Sequence, residues 1–408
     1  MKWASALAGN DFLGGRFQGQ GHVKEALREC VEKISFQLEG ERPDLLIAFF
    51  SPHFQSEYEF LPDFLAKDLK PRNIIGCSAG GLIGGGLEVE REKAIVLTAA
   101  VMPDTELTTF HCTDDDLPDM DAGPDKWEEL VGVKNETEPA FILMPDPFSF
   151  KVDSLVQGLD FAFPRSIKIG GLASGASQPG MNALLINDKL YRDGCVGLAL
   201  SGNIIVDSLV AQGCRPIGKP MTITRCKDNF LLELDGKPAV HALKEVLNGL
   251  DDRDQSLARN SLFLGVVMNE FKEEVKAGDF LIRNIIGIEP RTGALAVGEV
   301  LKVGRTVQFH LRDATTSSDD LRHLLSDYKD EQSSAPVSGA LLFSCLGRGR
   351  HLYGEPNHDS NCFRQFIGDV PLGGFFCNGE IGPVGGTTFL HGYTSSFGIF
   401  REKVSAAN

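Results

Sequence analysis

The 408-residue sequence predicts an α+β fold in which two mainly antiparallel sheets are backed by helices. One observation is a recurring order of segments: an apolar strand, a helix, a glycine turn and a further strand follow one another three times. A second is the stretch 279–313, whose alternation of apolar and polar residues is typical of antiparallel strands. The third is composition, since 42% hydrophobic and 24% charged residues describe a globular chain of about two domains.

The first copy of the recurring order lies in the N-terminal part of the chain. A helix is predicted over 22–38, because its apolar residues recur at a period of about 3.6. The apolar run 43–51 is then a buried strand, and 59–71 is a short helix that ends at a proline. A glycine-rich stretch over 73–86 and a strand over 93–103 complete the copy.

The second and third copies repeat this order. The second consists of a strand at 139–147, a helix at 151–164, a glycine turn at 167–176 and strands at 182–188 and 194–202. The third consists of a strand at 339–349, a helix at 359–368, a glycine turn at 370–386 and a strand at 387–400. Each glycine turn follows its strand by roughly 30 residues, and such self-similarity indicates a repeat architecture. The alternative is that any chain of mixed helices and strands reuses such units.

A linker separates two predicted domains. The stretch 213–220, with its glycines and prolines, reads as a connection. We therefore predict an N-terminal module over 1–218 and a C-terminal module over 219–408.

Charge and cysteine content exclude some classes of function. The net charge of −16, from 40 basic and 56 acidic residues, argues against a nucleic-acid partner, because phosphate contacts need clustered lysine and arginine. The nine cysteines show no C-x-x-C pair and no zinc-type spacing, so we predict reduced thiols, no metal site and a cytoplasmic location. The chain has no apolar segment typical of a signal peptide or membrane span. A location in the plastid stroma stays open if a transit peptide has been removed.

Residues 76–80 spell G-x-S-x-G, which in hydrolases holds a nucleophilic serine at a strand-to-helix turn. Here more glycines follow, and these are poor helix starts. The second copy has glycines at the same place without a serine elbow, so the repeated feature is glycine. Phosphate binding is disfavoured too, because no helix and no Lys-Ser/Thr pair follows. We predict no catalytic residue here, and tight turns that need glycine at Gly76, Gly80, Gly81, Gly170 and Gly171.

The richest polar cluster lies near the C-terminus. Its stretches SCLGRG and FFCNGEIGPV follow apolar strands of the same copy, so their ends can meet at one edge of a sheet. We expect Arg348 to hold an anionic group in bidentate fashion, Asn378 to bind an amide or carbonyl, and Glu380 to orient the arginine or accept from a ligand donor. The predicted ligand-binding residues are Cys345, Arg348, Asn378, Glu380, His391 and Tyr393. The structural alternative is a hairpin at Asn378–Gly379, a solvated Glu380 and a core Cys345.

The motifs GALLFSCLGRGRHLYG, VPLGGFFCNGEIGPVGG and HGYTSS resemble the C-terminal module of FIST proteins (F-box and intracellular signal transduction). KWASAL, PDLLIAFFS and IIGCSAGGLIGGG resemble the N-terminal FIST module, so the resemblance covers almost the whole chain. It is close to the FIST part of an F-box adaptor of ubiquitin ligases. Because the chain begins directly with the first FIST-like strand, we expect no F-box and do not carry over the adaptor function.

The resemblance implies a sensory protein for a small ligand, with a protein partner to which the signal is relayed. It implies that Cys345 matches an exposed, electrophile-reactive thiol of the adaptor, whereas Cys377 stands where that adaptor has glycine. Some bacterial relatives bind haem, which makes haem a candidate cofactor here. Two alternatives stay open: an interaction scaffold without its own ligand, and a cysteine-dependent hydrolase or transferase that uses Cys345 or Cys77, with His391 as base and Glu380 as its orienting group.

Overall fold

The computed structural model describes residues 1–9, 23–272, 274–331 and 335–403, which form two compact units. The first unit takes in the described residues of Met1–Val210, Leu324–Leu390 and Thr394–Asn408. The second consists of Ala211–His323 and His391–Tyr393. Both units are discontinuous in sequence, whereas the predicted modules are continuous, and the module boundary stays a prediction.

The first repeat follows the predicted order. Its elements are β1 (Lys2–Gly9), α1 (Val23–Gln37), β2 (Leu45–Phe50), a 3-10 helix (Pro52–Phe60), α2 (Leu61–Asp68), β3 (Asn73–Ser78), β4 (Gly81–Gly84), β5 (Leu87–Glu90) and β6 (Ala94–Val101). Helix α1 forms because Val23, Ala26, Leu27, Cys30 and Ile34 make one buried face. Its predicted first residue, His22, lies outside the described residues.

The second repeat has the same elements at corresponding places. They are β7 (Thr105–Cys112), α3 (Pro124–Val131), β8 (Ala140–Pro145), α4 (Val152–Ala162), β9 (Lys168–Gly171), β10 (Leu184–Ile186), β11 (Lys189–Tyr191) and β12 (Cys195–Gly202). Strand β13 (Ile205–Ala211) then opens the third repeat.

The second unit is inserted into the third repeat. Its elements are β14 (Cys214–Lys227), β15 (Phe230–Leu234), β16 (Lys237–Pro238), α5 (Ala239–Asn248), α6 (Asp252–Ala258), β17 (Leu262–Val267), β18 (Phe280–Ile288), β19 (Leu295–Val297) and β20 (Thr306–Arg312). These strands pair in the order β14-β20-β17-β18-β19-β15-β16, and a further pairing of β14 with β15 closes six of them into a barrel. Helix α7 (Ala314–Glu331) returns the chain to the third repeat.

The third repeat is completed after the insertion. Its elements are β21 (Gly339–Cys345), α8 (Arg350–Tyr353), α9 (His358–Ile367), β22 (Leu372–Cys377), β23 (Glu380–Val384), β24 (Thr387–His391) and β25 (Ser395–Arg401).

Three six-stranded sheets in the first unit share one topology. Their orders are β1-β6-β2-β3-β10-β11, β7-β12-β8-β9-β23-β24 and β13-β25-β21-β22-β4-β5. In each sheet the central pair is parallel and joined by helices, while the flanking strands are antiparallel. The prediction of a mixed helix-and-strand fold is confirmed. The prediction of two sheets is wrong: the described residues form four, because each repeat contributes the central strands of one sheet and the inserted barrel adds another.

The repeats exchange their hairpins. The β4–β5 hairpin of the first repeat pairs with β22 of the third, β10–β11 of the second pairs with β3 of the first, and β23–β24 of the third pairs with β9 of the second. Each sheet is therefore completed by a strand pair from another repeat. No repeat could bury its own sheet alone, and the three are held as one unit.

A central hydrophobic core lies among the three sheets. It draws apolar side chains from every repeat, including Ile75 and Cys77 from the first, Ile169 from the second, and Phe343 and Cys377 from the third. Separate clusters lie beneath the helices of the first and second repeats. Since both faces of the central strands are covered, β2 is buried throughout and reads as the continuous apolar run LLIAFF.

Candidate functional site

The parallel pairing of β21 with β22 brings the two C-terminal turns of the third repeat together. Cys345 and Cys377 are register partners at the ends of these strands. The amide of Leu346 donates to the carbonyl of Cys377 at 3.0 Å, so the turn after β21 rests on the end of β22. The two motifs SCLGRG and FFCNGEIGPV therefore lie at the same end of one sheet.

The corresponding turns of the other two repeats join them. The amides of Ser174 and Gly175 both donate to the carbonyl of Ser78, at 3.2 and 3.1 Å. The amide of Gly80 donates to the Ser174 hydroxyl at 3.0 Å, and that hydroxyl donates to the carbonyl of Phe376. The turns of the three repeats thus form one hydrogen-bonded junction, two of them from the third repeat. We call it the turn junction: residues 78–80, 172–175, 345–347 and 377–379.

Side chains of the third repeat line the turn junction. Asn378 is exposed, and its Nδ2 donates to the carbonyl of Ala173 at 3.2 Å. Leu346 is 38% exposed and its side chain is close to Gly80, where an added Cβ would lie 3.2 Å from Leu346 Cδ2. The junction thus presents an amide and an apolar side chain at its surface.

Cys345 is distinguished from most of the other thiols by its exposure. Seven of the nine cysteines are buried, and only Cys226 and Cys345 are partly exposed. The Gly347 amide donates to Cys345 Sγ at 3.5 Å. Burial raises the pKa of the Cys77 and Cys377 thiols, which suits them to the core rather than to reaction.

Arg348 lies inside the protein and is paired with Asp359. It is fully buried; its Nε donates to Asp359 Oδ2 at 2.9 Å and its Nη2 to Oδ1 at 3.2 Å. Although burial opposes ionisation of Asp359, the guanidinium holds the pKa of that carboxyl well below its usual range. The hydroxyls of Ser344 and Ser395 also donate to Asp359. The carboxylate that orients Arg348 is therefore Asp359 and not, as expected from the sequence, Glu380.

Glu380 has a different partner. It is fully buried rather than solvated, and its Oε2 accepts from the Thr394 amide at 3.1 Å and the Thr394 hydroxyl at 2.8 Å. His391 and Tyr393 are grouped with the barrel unit. His391 is buried, and Tyr393 packs on Phe263 with a ring-centroid separation of 4.3 Å. The structure thus brings Cys345 and Asn378 together at the turn junction, whereas Arg348 and Glu380 lie beneath the surface.

Most of the predicted glycine-turn residues lie in strands. Gly76 is in β3, Gly81 in β4, and Gly170 and Gly171 in β9, so of the five only Gly80 lies in a turn, and its φ is not positive. The reason is close approach: a Cβ on Gly76 or Gly170 would lie 2.0 or 1.9 Å from a carbonyl oxygen of the neighbouring parallel strand. Glycine is needed at these two positions because the backbone of the neighbouring strand leaves no room for a Cβ.

Ser78 is held inside the protein. It is fully buried; its hydroxyl accepts from the Ala183 amide at 3.0 Å and lies 3.2 Å from Asn182 Oδ1. After Gly80 the chain enters β4 and not a helix, so the strand-to-helix geometry of a nucleophile elbow is missing at this motif.

A cavity of about 620 Å³ lies elsewhere in the first unit. Lys33 and Gln37 of α1, the turn at Gly85, and Phe363 and Arg364 of α9 contribute to its wall. None of the predicted site residues lines it. Among the described residues of its wall there is no His, Cys, Met or Tyr that could supply an axial ligand to haem.

The described part of the chain holds neither a metal-binding cluster nor a membrane-spanning helix. No group of three or more His, Cys, Asp or Glu side chains there is arranged to hold a metal ion. No helix there is long and apolar enough to cross a membrane.

Glu88, Arg312 and Asp359 are among the buried charged residues that sequence reasoning missed. Asp359 opens the predicted helix 359–368, where an acidic residue in the first turn is ordinary and gives no signal. Glu88 stands in an alternating LEVE strand whose burial depends on a distant repeat. Arg312 ends a strand of the barrel, where an arginine is normally exposed.

Comparison with known proteins gives matches along most of the chain. The FIST N domain matches residues 44–237 and the FIST C domain residues 239–383. An uncharacterized protein of Mycobacterium tuberculosis is 35% identical over 380 residues, 93% of this chain and 97% of that protein. The human F-box only protein 22 is 50% identical, but over 42 residues, 10% of each chain. A crystal structure of cyanuric acid hydrolase from A. caulinodans covers 98% of this chain with a TM-score of 0.34 and 6% identity, a likeness too distant to bear on activity.

Proposed function

This chain belongs to the FIST family, and from that premise we propose that it is a non-enzymatic sensory protein whose small-molecule ligand binds at the turn junction, next to Cys345. Relay of the bound state to a protein partner, and a cytoplasmic location, belong to the same proposal. The sensory role is proposed from membership of the family, and the position of the ligand site is proposed from the geometry of the turn junction.

One observation carries the proposal: the partly exposed thiol of Cys345 lies where the turns of all three repeats are hydrogen-bonded together. A ligand here would contact the third repeat directly. Through the Ser174 hydroxyl, which joins Gly80 to Phe376, it would also act on the first and second repeats. A small contact could therefore shift the packing of the whole first unit, as a sensory protein requires.

The chemistry of the junction limits the ligand. The Asn378 amide can exchange its bond to the Ala173 carbonyl for one to a ligand carbonyl or amide, and Leu346 offers an apolar contact. The Gly347 amide donates to Cys345 Sγ, and the charge of Arg348 is taken up by its pair with Asp359. These groups suit a compact, partly apolar molecule that carries a carbonyl.

Native mass spectrometry of freshly purified protein, with its absorption spectrum, tests the proposal. We expect a bound small molecule that is retained by the wild type and lost from Asn378→Ala. The matched control is Asn361→Ala, which removes an exposed asparagine of α9 that is bonded to Arg364. Equal retention by both variants would place the ligand elsewhere. A wild type that carries no bound mass, and gains none from a cell extract of small molecules, would remove the proposal.

A further inference from the structure

Arg312 is a buried arginine on the outer face of the barrel. Along β20 the side chains of Val307, Phe309 and Leu311 belong to the barrel core, so the alternation of a strand turns Arg312 the other way. It is nevertheless only 7% exposed. Its backbone is fixed by pairing with Cys214 of β14.

Two nitrogens of this guanidinium have no acceptor within the described part of the chain. Among the residues that the structure describes, Arg312 Nε and Nη2 are buried and have no hydrogen-bond partner. The adjacent carboxylate does not supply one, because Asp313 accepts from Arg215 Nε at 3.1 Å and from Thr316. Buried guanidinium nitrogens without hydrogen-bond partners are costly, so native proteins rarely keep them without a reason.

Arg348 shows how the Nε–Nη2 edge of a buried guanidinium can be paired with a carboxylate. The same two nitrogens of Arg348, Nε and Nη2, grip the carboxylate of Asp359 side-on at 2.9 and 3.2 Å. This fork matches the two oxygens of one carboxylate. Arg312 presents the same fork without the carboxylate.

The surroundings of Arg312 suit the apolar part of an organic acid. The ring of Tyr393 lies 5.0 Å from the Arg312 guanidinium carbon in a cation–π contact. The ring covers the face of the guanidinium and does not cover the edge that carries Nε and Nη2. The Tyr393 hydroxyl donates to Asn284 Oδ1, and Tyr393 also packs on Phe263. Cys214, Phe263 and Tyr393 belong to one apolar cluster.

We infer that Arg312 is an anion site of the barrel unit and that it binds the carboxylate of a small organic acid through Nε and Nη2. The inference goes beyond the proposed function, since it holds whether or not the turn junction binds anything. Because both nitrogens are buried, the acid enters when a neighbouring side chain moves.

The first test needs no ligand. Arg312→Met removes an unpaired buried charge, so we expect the melting temperature of the unliganded protein to stay the same or to rise. Arg348→Met is the matched control: it leaves Asp359 buried without its cation, and the melting temperature should fall. If Arg312→Met lowers the melting temperature as much as Arg348→Met, Arg312 has a structural partner and the proposal is overturned.

The second test uses benzoate, with benzamide as its neutral counterpart of the same shape. Benzoate should raise the melting temperature of the wild type at concentrations up to roughly 10 mM, enough to saturate a millimolar site, and benzamide should not. In Arg312→Lys we expect affinity for benzoate to drop about tenfold or more, because an ammonium cannot replace the fork. Cys345→Ser should respond to benzoate as the wild type does, which separates this site from the turn junction. Phosphate serves as a further control. The carboxylate site is contradicted if the melting temperature of the wild type rises equally with benzoate and benzamide, rises with phosphate alone, or rises with none of the three.

Discussion

Glu88 provides a test of how the hairpin of the first repeat is locked onto the third. It lies on β5, is 5% exposed, and its Oε1 accepts from the Ser360 amide in the first turn of α9 at 2.6 Å. Burial raises the pKa of this carboxyl to about 8, and the negative charge of Asp359 adds to the effect, while the bond from Ser360 opposes it. Desolvation is thus expected to raise the pKa of Glu88 by more than the hydrogen bond from Ser360 lowers it.

The magnitude follows from the difference between the folded and unfolded states. A pKa raised from 4.5 to about 8 corresponds to at most about 5 kcal/mol. The folded protein holds this proton more tightly than the unfolded chain does, so its contribution to stability is fully present below pH 4.5 and is lost as the pH rises to about 8. Glutamine has nearly the same shape and no charge. Glu88→Gln should therefore match the wild type near pH 5 and be more stable near pH 9, by a few kcal/mol.

Urea unfolding at pH 5 and pH 9 measures this difference through the free energy of unfolding. The matched control is Glu90→Gln on the same strand, because Glu90 is more exposed and accepts from the Arg350 amide at 2.7 Å. That variant should show no gain at pH 9. If Glu88→Gln is less stable than the wild type at pH 9, Glu88 is ionised there and its bond to the helix outweighs its desolvation, which would refute the reasoning.

Four further substitutions test a glycine of β22, a glycine of a turn, Ser78 and the buried ion pair. Gly374→Ala should lower the free energy of unfolding by about 3 kcal/mol or more, because its Cβ, at φ 149, would lie 1.9 Å from a carbonyl oxygen of the neighbouring strand. Gly385 has φ 61 and open space around it, so Gly385→Ala should lower the free energy of unfolding by about 1 kcal/mol in the same urea assay. Ser78→Ala should cost about 1 kcal/mol for its lost hydrogen bonds and leave ligand retention unchanged, and labelling of Ser78 by a fluorophosphonate probe would contradict this. Arg348→Lys should lower the melting temperature, since a point charge cannot hold Asp359 at two oxygens; an unchanged melting temperature would show that the ion pair adds nothing.

The repeat was predictable from the sequence because it is local. Strand, helix, glycine and strand follow one another within each copy, and the apolar periodicity of α1 and the continuous apolar run of β2 indicate those elements directly. The exchange of hairpins was not predictable, because β4 pairs with β22 across nearly the whole chain and nothing in either strand encodes that partner. The closed barrel was missed for the same reason: alternation indicates antiparallel strands but not the pairing of β14 with β15.

The candidate site was predictable in part. The sequence indicated that the turns after β21 and β22 lie together, because parallel strands of one repeat end at the same edge. It could not indicate that Arg348 turns inward to Asp359, since a spacing of eleven residues between a turn and a helix carries no periodic signal. Nor could it identify Arg312, because an arginine at a strand end is noteworthy only when its burial and its missing partners are seen.

The proposal that the turn junction is the sensory site is tested most directly by the labelling rates of the nine thiols. Folded protein is treated with iodoacetamide, and each cysteine is followed by mass spectrometry, with Cys226 as the partly exposed thiol for comparison. We predict that Cys345 reacts faster than every other cysteine, and that the bound small molecule slows Cys345 while Cys226 is unaffected. If Cys345 reacts no faster than Cys226, or if bound ligand slows both equally, the turn junction is not the ligand site.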